Sequence, residues 1–119
     1  MNETKQLVEQ IIEGIQNRKG KKIVVADLTE IDDTICDYFI ICEGNSPSQL
    51  LAIVDSIRET TRENLGIKPY GIDGMKNAQW IALDYGEVIV HAFLPEERTY
   101  YNLENLWADS KLTEIEDID

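Results

Sequence analysis

The sequence predicts a single domain of the α/β class, with helices packed on a mixed β-sheet. Two observations carry this prediction: apolar residues recur at helical spacing in two long segments, and short β-branched or apolar runs lie between and after them. The predicted order of elements is α-β-β-α-β-β-β-α. The chain has 119 residues, 43% of them hydrophobic, which is enough to bury a core without disulfides or metal.

Two amphipathic helices are predicted from apolar spacing together with signals at their ends. The first covers residues 3–18. Its inward face carries five aliphatic residues: Leu7, Val8, Ile11, Ile12 and Ile15. The second begins after Ser46, a good N-cap, with Pro47 at the first helical position and Gln49 completing a capping box. It is expected to end near Gly66.

The strands follow from short runs bounded by turn residues. KIVVADL at 22–28 and DYFIIC at 37–42 are the first two, and the apolarity of the second on both faces indicates a central position in the sheet. A short strand is predicted at 70–73. Strands at 79–83 and 87–94 flank a turn whose Gly is typical of a two-residue hairpin loop.

The end of the chain is expected to be less regular than the rest. Residues 94–107 are predicted to form one or two short helices, opened by Pro95. Residues 110–119 are strongly acidic and are expected to fray. We therefore predict one domain over residues 1–109, followed by an acidic C-terminal tail over residues 110–119.

The charge of the chain bears on the kind of partner it can bind. Asp and Glu total 23 against 11 Lys and Arg, a net charge of −12. The basic cluster RKGKK, residues 18–22, is interpreted as a helix end and a turn, where cations favour the helix dipole, and not as an RNA-binding patch. Direct, sequence-specific nucleic-acid binding is not expected. An acidic body predicts a basic partner or good solubility.

Several further classes of protein are disfavoured. No apolar run approaches the roughly 20 residues that cross a bilayer, and the N-terminus resembles neither a signal nor a transit peptide. A cytoplasmic protein without a membrane partner is therefore expected. Cys36 and Cys42 are expected to be reduced thiols. The chain has only one histidine in addition to these two cysteines, so it lacks the four ligands that a zinc site needs. No metal or cofactor is therefore predicted.

The predicted hairpin has two different faces. A two-residue turn would place Trp80 opposite His91 and Asp84 opposite Glu87. The carboxylate pair would be mildly unfavourable, and a Lys or Arg from a partner would relieve that repulsion. One face is apolar and is predicted to pack in the core: Ile81, Leu83, Val88, Val90 and Ala92. The other face mixes aromatic, small and charged residues: Trp80, Ala82, Asp84, Glu87, Ile89, His91 and Phe93.

Two interpretations of the mixed face stay open. It can be a half-exposed sheet surface that the C-terminal helix covers in part, through Tyr100, Tyr101 and Trp107. Alternatively, it is a protein-binding patch with Trp80 as its largest anchor, because interfaces are enriched in aromatic residues at their centre and are polar at their rim. The pattern slightly favours the binding patch.

Nucleophilic catalysis finds little support in the sequence. His91 is the only histidine, and neither Cys36 nor Cys42 is expected to lie near it, since both belong to a different strand or its approach. A structural histidine beside an indole is the favoured interpretation. No catalytic residue is predicted.

A weaker alternative concerns the step Gly44-Asn45-Ser46, which connects a strand to a capped helix. Its backbone N–H groups could cradle an anion, so a nucleotide-binding protein or a degenerate nucleotidyltransferase stays open as an alternative. That chemistry needs paired carboxylates on a nearby strand to hold metal ions. The Asp-x-Asp match in the chain lies at residues 117–119, where chance in an acidic tail explains it.

These motifs, in this order, resemble the ribosome silencing factor family, also called the Iojap family. DYFIICEGNSPSQLLAIVDSI at 37–57 is similar to its central strand and helix. WIALDYGEVIVHAF at 80–93, followed by Arg98, Tyr100-Tyr101 and LENLW at 103–107, is similar to its C-terminal signature. The resemblance covers the chain to about residue 109. Glu87 departs from the commoner Asp after the turn glycine.

The resemblance implies a fold like that of nucleotidyltransferases without the catalytic carboxylates. It implies a translational repressor, not an enzyme, that binds the large ribosomal subunit through a basic protein, ribosomal protein L fourteen. Bound there, it would block association with the small subunit and lower translation under nutrient limitation. Homodimers are frequent in the family.

The resemblance also implies a set of partner-binding residues. Trp80 would be the buried anchor of the contact, and Asp84, with Glu87 at the rim, would meet Lys or Arg side chains. Tyr85 would extend the contact from the hairpin tip, and His91 would support the Trp80 ring without transferring protons.

Overall fold

The computed structural model describes residues 3–106 and 110–118, and in this part of the chain ten elements form a mixed sheet with helices on it. The strands β1 to β6 cover Lys21–Asp27, Tyr38–Glu43, Gly71–Asp73, Trp80–Asp84, Val88–Phe93 and Lys111–Ile115. The helices α1 to α4 cover Glu3–Asn17, Pro47–Leu65, Pro95–Tyr101 and Leu103–Leu106.

The sheet has the strand order β3-β4-β5-β2-β1-β6. Only the β2–β5 pair is parallel among the described strands, and the other neighbours are antiparallel. β2 therefore lies in the interior of the sheet with neighbours on both sides, as its apolar run predicts, and its four central residues are buried. The predicted α/β class is confirmed.

The main core lies between the sheet and the helix pair α1 and α2. The apolar hairpin face is completely buried there, together with the inward residues of both helices. The two helices approach closely because Gly14 has no side chain: a Cβ at this position would lie 2.8 Å from the Ile57 Cα. The Ser56 hydroxyl donates to the Gly14 carbonyl at 2.8 Å, which satisfies both polar groups at the crossing.

The capping signals of α2 act as the sequence predicts. The Ser46 hydroxyl accepts from the Gln49 N–H at 3.1 Å, and Pro47 opens the helix. The Gln49 side chain reaches back to the Asn45 N–H at 2.6 Å, one residue before the cap. Gly66 ends the helix in the left-handed conformation, with φ of 68°.

The register of the β4–β5 hairpin differs from the prediction. Trp80 pairs with Phe93, and Ala82 with His91, so the register is shifted by two residues from the predicted one. The turn lies one residue later than predicted, at Gly86-Glu87, and the Tyr85 N–H donates to the Val88 carbonyl across it at 2.9 Å. The expected pairing of Trp80 with His91 is wrong by two positions. Because side chains alternate with a period of two, this shift leaves every residue on its predicted face.

The C-terminal segment also differs from the prediction. Residues 111–115 form β6, which pairs with β1 and closes one edge of the sheet. The expectation that this acidic segment frays is wrong for these residues, because Lys111 to Ile115 supply a full antiparallel ladder along Asp27 to Ile23. The segment is thus part of the same sheet as the rest of the domain.

Both cysteines are free thiols and are buried. Burial raises the pKa of the Cys36 thiol to about 11 and that of the Cys42 thiol to about 12, so both are protonated near neutral pH. Within the described residues, no helix is both long and apolar enough to cross a membrane. Nor does this part of the chain contain a cluster of three side chains placed to hold a metal ion.

Candidate protein-docking face

The second face of the sheet points away from α1 and α2 and is covered only in part. At one end the β1–β2 connection packs Leu28, Ile31 and Cys36 onto Phe39 and Ile89. At the other end α3 places an aromatic side chain over β4 and β5. We call this surface the docking face. One of its rows crosses the sheet through paired residues: Ala82, His91, Ile41, Val24 and Glu114.

Trp80 is the centre of an aromatic cluster on the docking face. It is partly exposed, and its ring stacks on Phe93 with a centroid separation of 5.1 Å. Tyr101 of α3 lies on it at 4.4 Å, and Tyr100, which is 82% exposed, meets Tyr101 edge to face. Trp107, also expected to cover this face, lies outside the described residues. An indole fixed by neighbours on several sides loses little conformational entropy on binding.

A hydrogen bond joins Trp80 to His91. The Trp80 Nε1–H donates to His91 Nδ1 at 3.0 Å, although the two residues are not direct cross-strand partners. Because an indole nitrogen can only donate, Nδ1 carries no proton, and a neutral His91 must hold its proton on Nε2. The hydrogen bond therefore fixes the orientation of the Trp80 ring on the sheet.

The environment of His91 makes it a poor acid or base. The side chain is buried against Phe39, whose ring it meets at 5.1 Å and 87°, and burial lowers the pKa of His91 from 6.5 to about 4. Its Nε2 atom is buried and has no hydrogen-bond partner among the described residues. The lone pair that would accept a proton is already used by Trp80. A general base needs a free lone pair within reach of a substrate, which this arrangement lacks.

The hairpin tip carries the acidic edge of the docking face. Asp84 and Glu87 are exposed, but Asp84 pairs with Ile89 and not with Glu87. The predicted like-charge pair is therefore wrong, and repulsion between these two groups gives no argument for a basic partner. An Asp84 carboxylate oxygen accepts from the Gly86 N–H at 2.8 Å, which fixes the carboxylate at the start of the turn.

Tyr85 lies on the other side of the hairpin. Its side chain is 3% exposed and packs in the main core, where its hydroxyl is 2.9 Å from that of Thr61 on α2. The expectation of an exposed side chain at the hairpin tip is wrong. The turn glycine, Gly86, has φ of 90°, and the loop that it permits turns the preceding tyrosine inward.

The helix entry at Gly44-Asn45-Ser46 has little capacity left for an anion. The Gly44 N–H donates to the Phe93 carbonyl at 3.0 Å, and the Asn45 N–H to the Gln49 side chain. A side chain at Gly44 would meet Leu50 and Ile53, so the glycine serves close packing. These donors are used within the protein.

Arg98 is an important residue of this region that sequence reasoning did not assign a role. Its guanidinium is buried under α3, where Nη1 donates to the Lys22 carbonyl at 2.6 Å and Nη2 pairs with Glu104 at 2.7 Å. Glu43 of β2 lies at 3.4 Å. These contacts fasten α3 and α4 to the sheet and so position Tyr101 over Trp80. The presence of one Arg in a helix with acidic neighbours gives no sequence signal for such a network.

The fold and the docking face define a class of protein: a small α/β domain that presents a fixed aromatic cluster and an acidic hairpin tip, features typical of a surface that holds another protein. Comparison with known proteins is more specific. The chain matches the model of the family "Ribosomal silencing factor during starvation" over residues 1–119, and it belongs to this family. It is thus a translational regulator that acts on the ribosome.

The relatives agree with this assignment. The chain is 34% identical over 113 residues to the ribosomal silencing factor of Halalkalibacterium halodurans, covering 95% of each protein. It is 39% identical over 100 residues to that of Bacillus subtilis, covering 84% of this chain and 83% of the relative. A crystal structure of a Chromobacterium violaceum protein has a TM-score of 0.84 at 30% identity, over 90% of this chain and 88% of that one.

Proposed function

We propose that the protein represses translation by binding the large ribosomal subunit through ribosomal protein L fourteen and blocking association with the small subunit. The observation that carries this proposal is the partly exposed Trp80, held by His91 and Tyr101 at one end of β4, on the same face as the acidic Asp84 at the other end. It is the arrangement that a basic protein surface with an apolar pocket would fit.

The aromatic cluster would supply most of the affinity. Tryptophan is among the residues that dominate interface energies, and its truncation at such sites costs about 2 kcal/mol or more. The ring of Trp80 is already held by neighbouring aromatic groups, so docking would not need to order it first. His91 would act through Trp80, as its hydrogen-bond partner.

The acidic groups would provide specificity for a basic partner and increase the rate of association with it. Asp84 and Glu87 are exposed at the edge of the docking face, and the whole chain carries a net charge of −12. Such a body is repelled by phosphate backbones and attracted by a basic protein among them. Tyr85 would enter only indirectly, since its buried side chain shapes the hairpin from the core.

The mode of action would be steric and not catalytic. His91 and both cysteines lack the properties of a base or a nucleophile, and the helix entry at residues 44–46 uses its donors internally. A domain occupying the joining face of one subunit excludes the other subunit without any chemistry. A cytoplasmic location and a homodimeric state outside the ribosome belong to the same proposal.

Pelleting with purified large subunits tests the docking face. The double variant Trp80→Ala with Asp84→Lys is expected to bind at least about 30-fold more weakly than the wild type, since about 2 kcal/mol is lost at the anchor alone. Glu63→Lys, an equal charge change on exposed α2, is the matched control and should pellet like the wild type. Unchanged pelleting of the double variant would refute this choice of site.

A further inference from the structure

The strand β6 is the last strand at its edge of the sheet within residues 3–106 and 110–118. It is five residues long, without proline or a bulge against β1, and residues 111–114 are exposed. Edge strands offer a row of N–H and C=O groups to an added strand, and proteins that must avoid this usually shorten, bend or block the edge. Along its ladder β6 has neither proline nor a bulge against β1, and Lys111 and Glu114 are its charged residues.

The direction of its backbone groups follows from the neighbouring ladder. The Leu28 N–H donates to Asp37 on the β2 side of β1, so Asp27, one residue earlier, turns its own groups toward β6. Its partner in β6 is Lys111. Because these directions alternate along a strand, Leu112 and Glu114 point their N–H and C=O groups away from β1, toward the open edge.

The surface beside β6 is acidic, with five carboxylates against two cations, Lys22 and Arg98. Next to β6, a cavity of about 470 Å³ opens on the side of the docking face, and five carboxylates line it: Glu43, Glu104, Glu114, Glu116 and Asp117. Arg98 already neutralises two of them. Glu114 and Glu116 are exposed and have no ion-pair partner within the described residues. A cationic side chain beside this edge would therefore meet unpaired negative charge.

The side chains of the edge belong to the docking face. Glu114 ends the row that runs from Ala82 through His91 across the sheet, and Leu112, which is 41% exposed, ends the next row beside Ala26. A strand added to β6 would thus continue the same surface that carries the aromatic cluster. One partner could contact both.

We propose that β6 binds an extended, Lys- and Arg-rich segment of a protein partner by strand addition, with the cationic side chains beside Glu114 and Glu116. This inference rests on the proposed function, because it adds a second contact with the basic ribosomal partner. Main-chain hydrogen bonds to the outward groups of Leu112 and Glu114 hold the segment, and the acidic cavity selects its charge.

Fluorescence anisotropy with a synthetic peptide tests strand addition directly. The probe is an eight-residue peptide in which Lys or Arg alternates with Thr, and its counterpart is the same peptide N-methylated at every residue. The first should bind, and the second should bind at least tenfold more weakly at equal charge. Equal binding of the two peptides would overturn the proposal, since charge alone would then explain the affinity.

Variants of β6 locate the site. Leu112→Pro removes an outward N–H without removing a bond to β1, a position where edge strands tolerate proline. Leu112→Ala is the matched control, which keeps the N–H. Leu112→Pro should weaken peptide binding at least tenfold relative to Leu112→Ala, and Glu114→Gln should weaken it and lower its salt dependence. Equal affinity of the Pro and Ala variants, both folded by circular dichroism, would overturn the proposal.

Pelleting with large subunits separates this inference from the proposed function. If Trp80→Ala abolishes pelleting while Leu112→Pro pellets like Leu112→Ala, the edge contact is wrong and the docking face stands. If the reverse holds, the docking face is wrong and the edge contact stands. If Leu112→Pro changes only self-association in sedimentation velocity and not peptide binding, a second copy of the chain occupies the edge, and the proposal is overturned.

Discussion

His91 should make the stability of the protein depend on pH in a way that a single substitution removes. Burial lowers its folded-state pKa from 6.5 to about 4, so the unfolded chain takes up a proton at a higher pH than the folded protein. At pH 7.5 and above, this residue is almost unprotonated in both states and the effect is close to zero. As the pH falls through 6.5 toward 4, the unfolded state gains protons first, and stability is progressively lost.

The magnitude follows from the shift of the pKa. Each unit is worth about 1.4 kcal/mol, so the full loss is about 3 kcal/mol, of which about 2 kcal/mol has appeared by pH 5. Protonation also places a hydrogen on Nδ1, where it opposes the Trp80 N–H. Protonation of His91 should therefore also change the environment of the Trp80 ring.

Urea unfolding, followed by tryptophan fluorescence between pH 7.5 and 5, measures this effect. The His91→Gln variant is the control, because the carboxylates that titrate in the same range are common to both proteins and cancel in the difference. The wild type should lose about 2 kcal/mol more than His91→Gln between pH 7.5 and 5. A difference between the two proteins that does not change with pH would refute the reasoning.

Two further substitutions test the packing. Gly14→Ala should lower the free energy of unfolding by about 2 kcal/mol or more, since the new Cβ would lie 2.8 Å from the Ile57 Cα and overpack the helix crossing; unchanged urea unfolding would contradict this. Arg98→Met should lower the free energy of unfolding by about 3 kcal/mol, because it leaves the partly buried Glu43 and Glu104 without a counter-charge. Its thermal unfolding should approach that of the wild type if Glu104 is replaced by Gln in the same chain, and no recovery would contradict the ion-pair argument.

The sequence carried enough information for the elements and the faces. Periodicity and the capping residues Ser46, Gln49 and Gly66 determine α2 almost to the residue, because these are local signals. The apolar run of β2 gives its interior position for a similar reason. The two faces of the hairpin were predicted correctly even though its register was not, since a shift of two residues preserves the alternation.

The features that the sequence did not reveal depend on long-range contacts. β6 looks like an acidic tail, and only the ladder along β1 makes it a strand. Tyr85 at a turn looks exposed, but Thr61 and the core under α2 draw it inward. The role of Arg98 needs three segments that are far apart in sequence. The local secondary-structure propensity of a segment does not include contacts of this kind.

In the candidate site, too, some features could be predicted from the sequence and others depend on contacts that the sequence does not reveal. Residue types and alternation were sufficient to place Trp80, Asp84 and His91 on one face. The hydrogen bond between Trp80 and His91 could not be predicted by counting cross-strand partners in the sequence, because it joins a diagonal pair that depends on where the turn lies.

Association of purified ribosomal subunits, followed by light scattering, tests the central claim most directly. Large subunits incubated with the wild-type protein should join small subunits to a much lower extent, whereas large subunits incubated with the Trp80→Ala, Asp84→Lys variant should join them as if no protein were added. Undiminished joining in the presence of saturating wild-type protein would contradict the account.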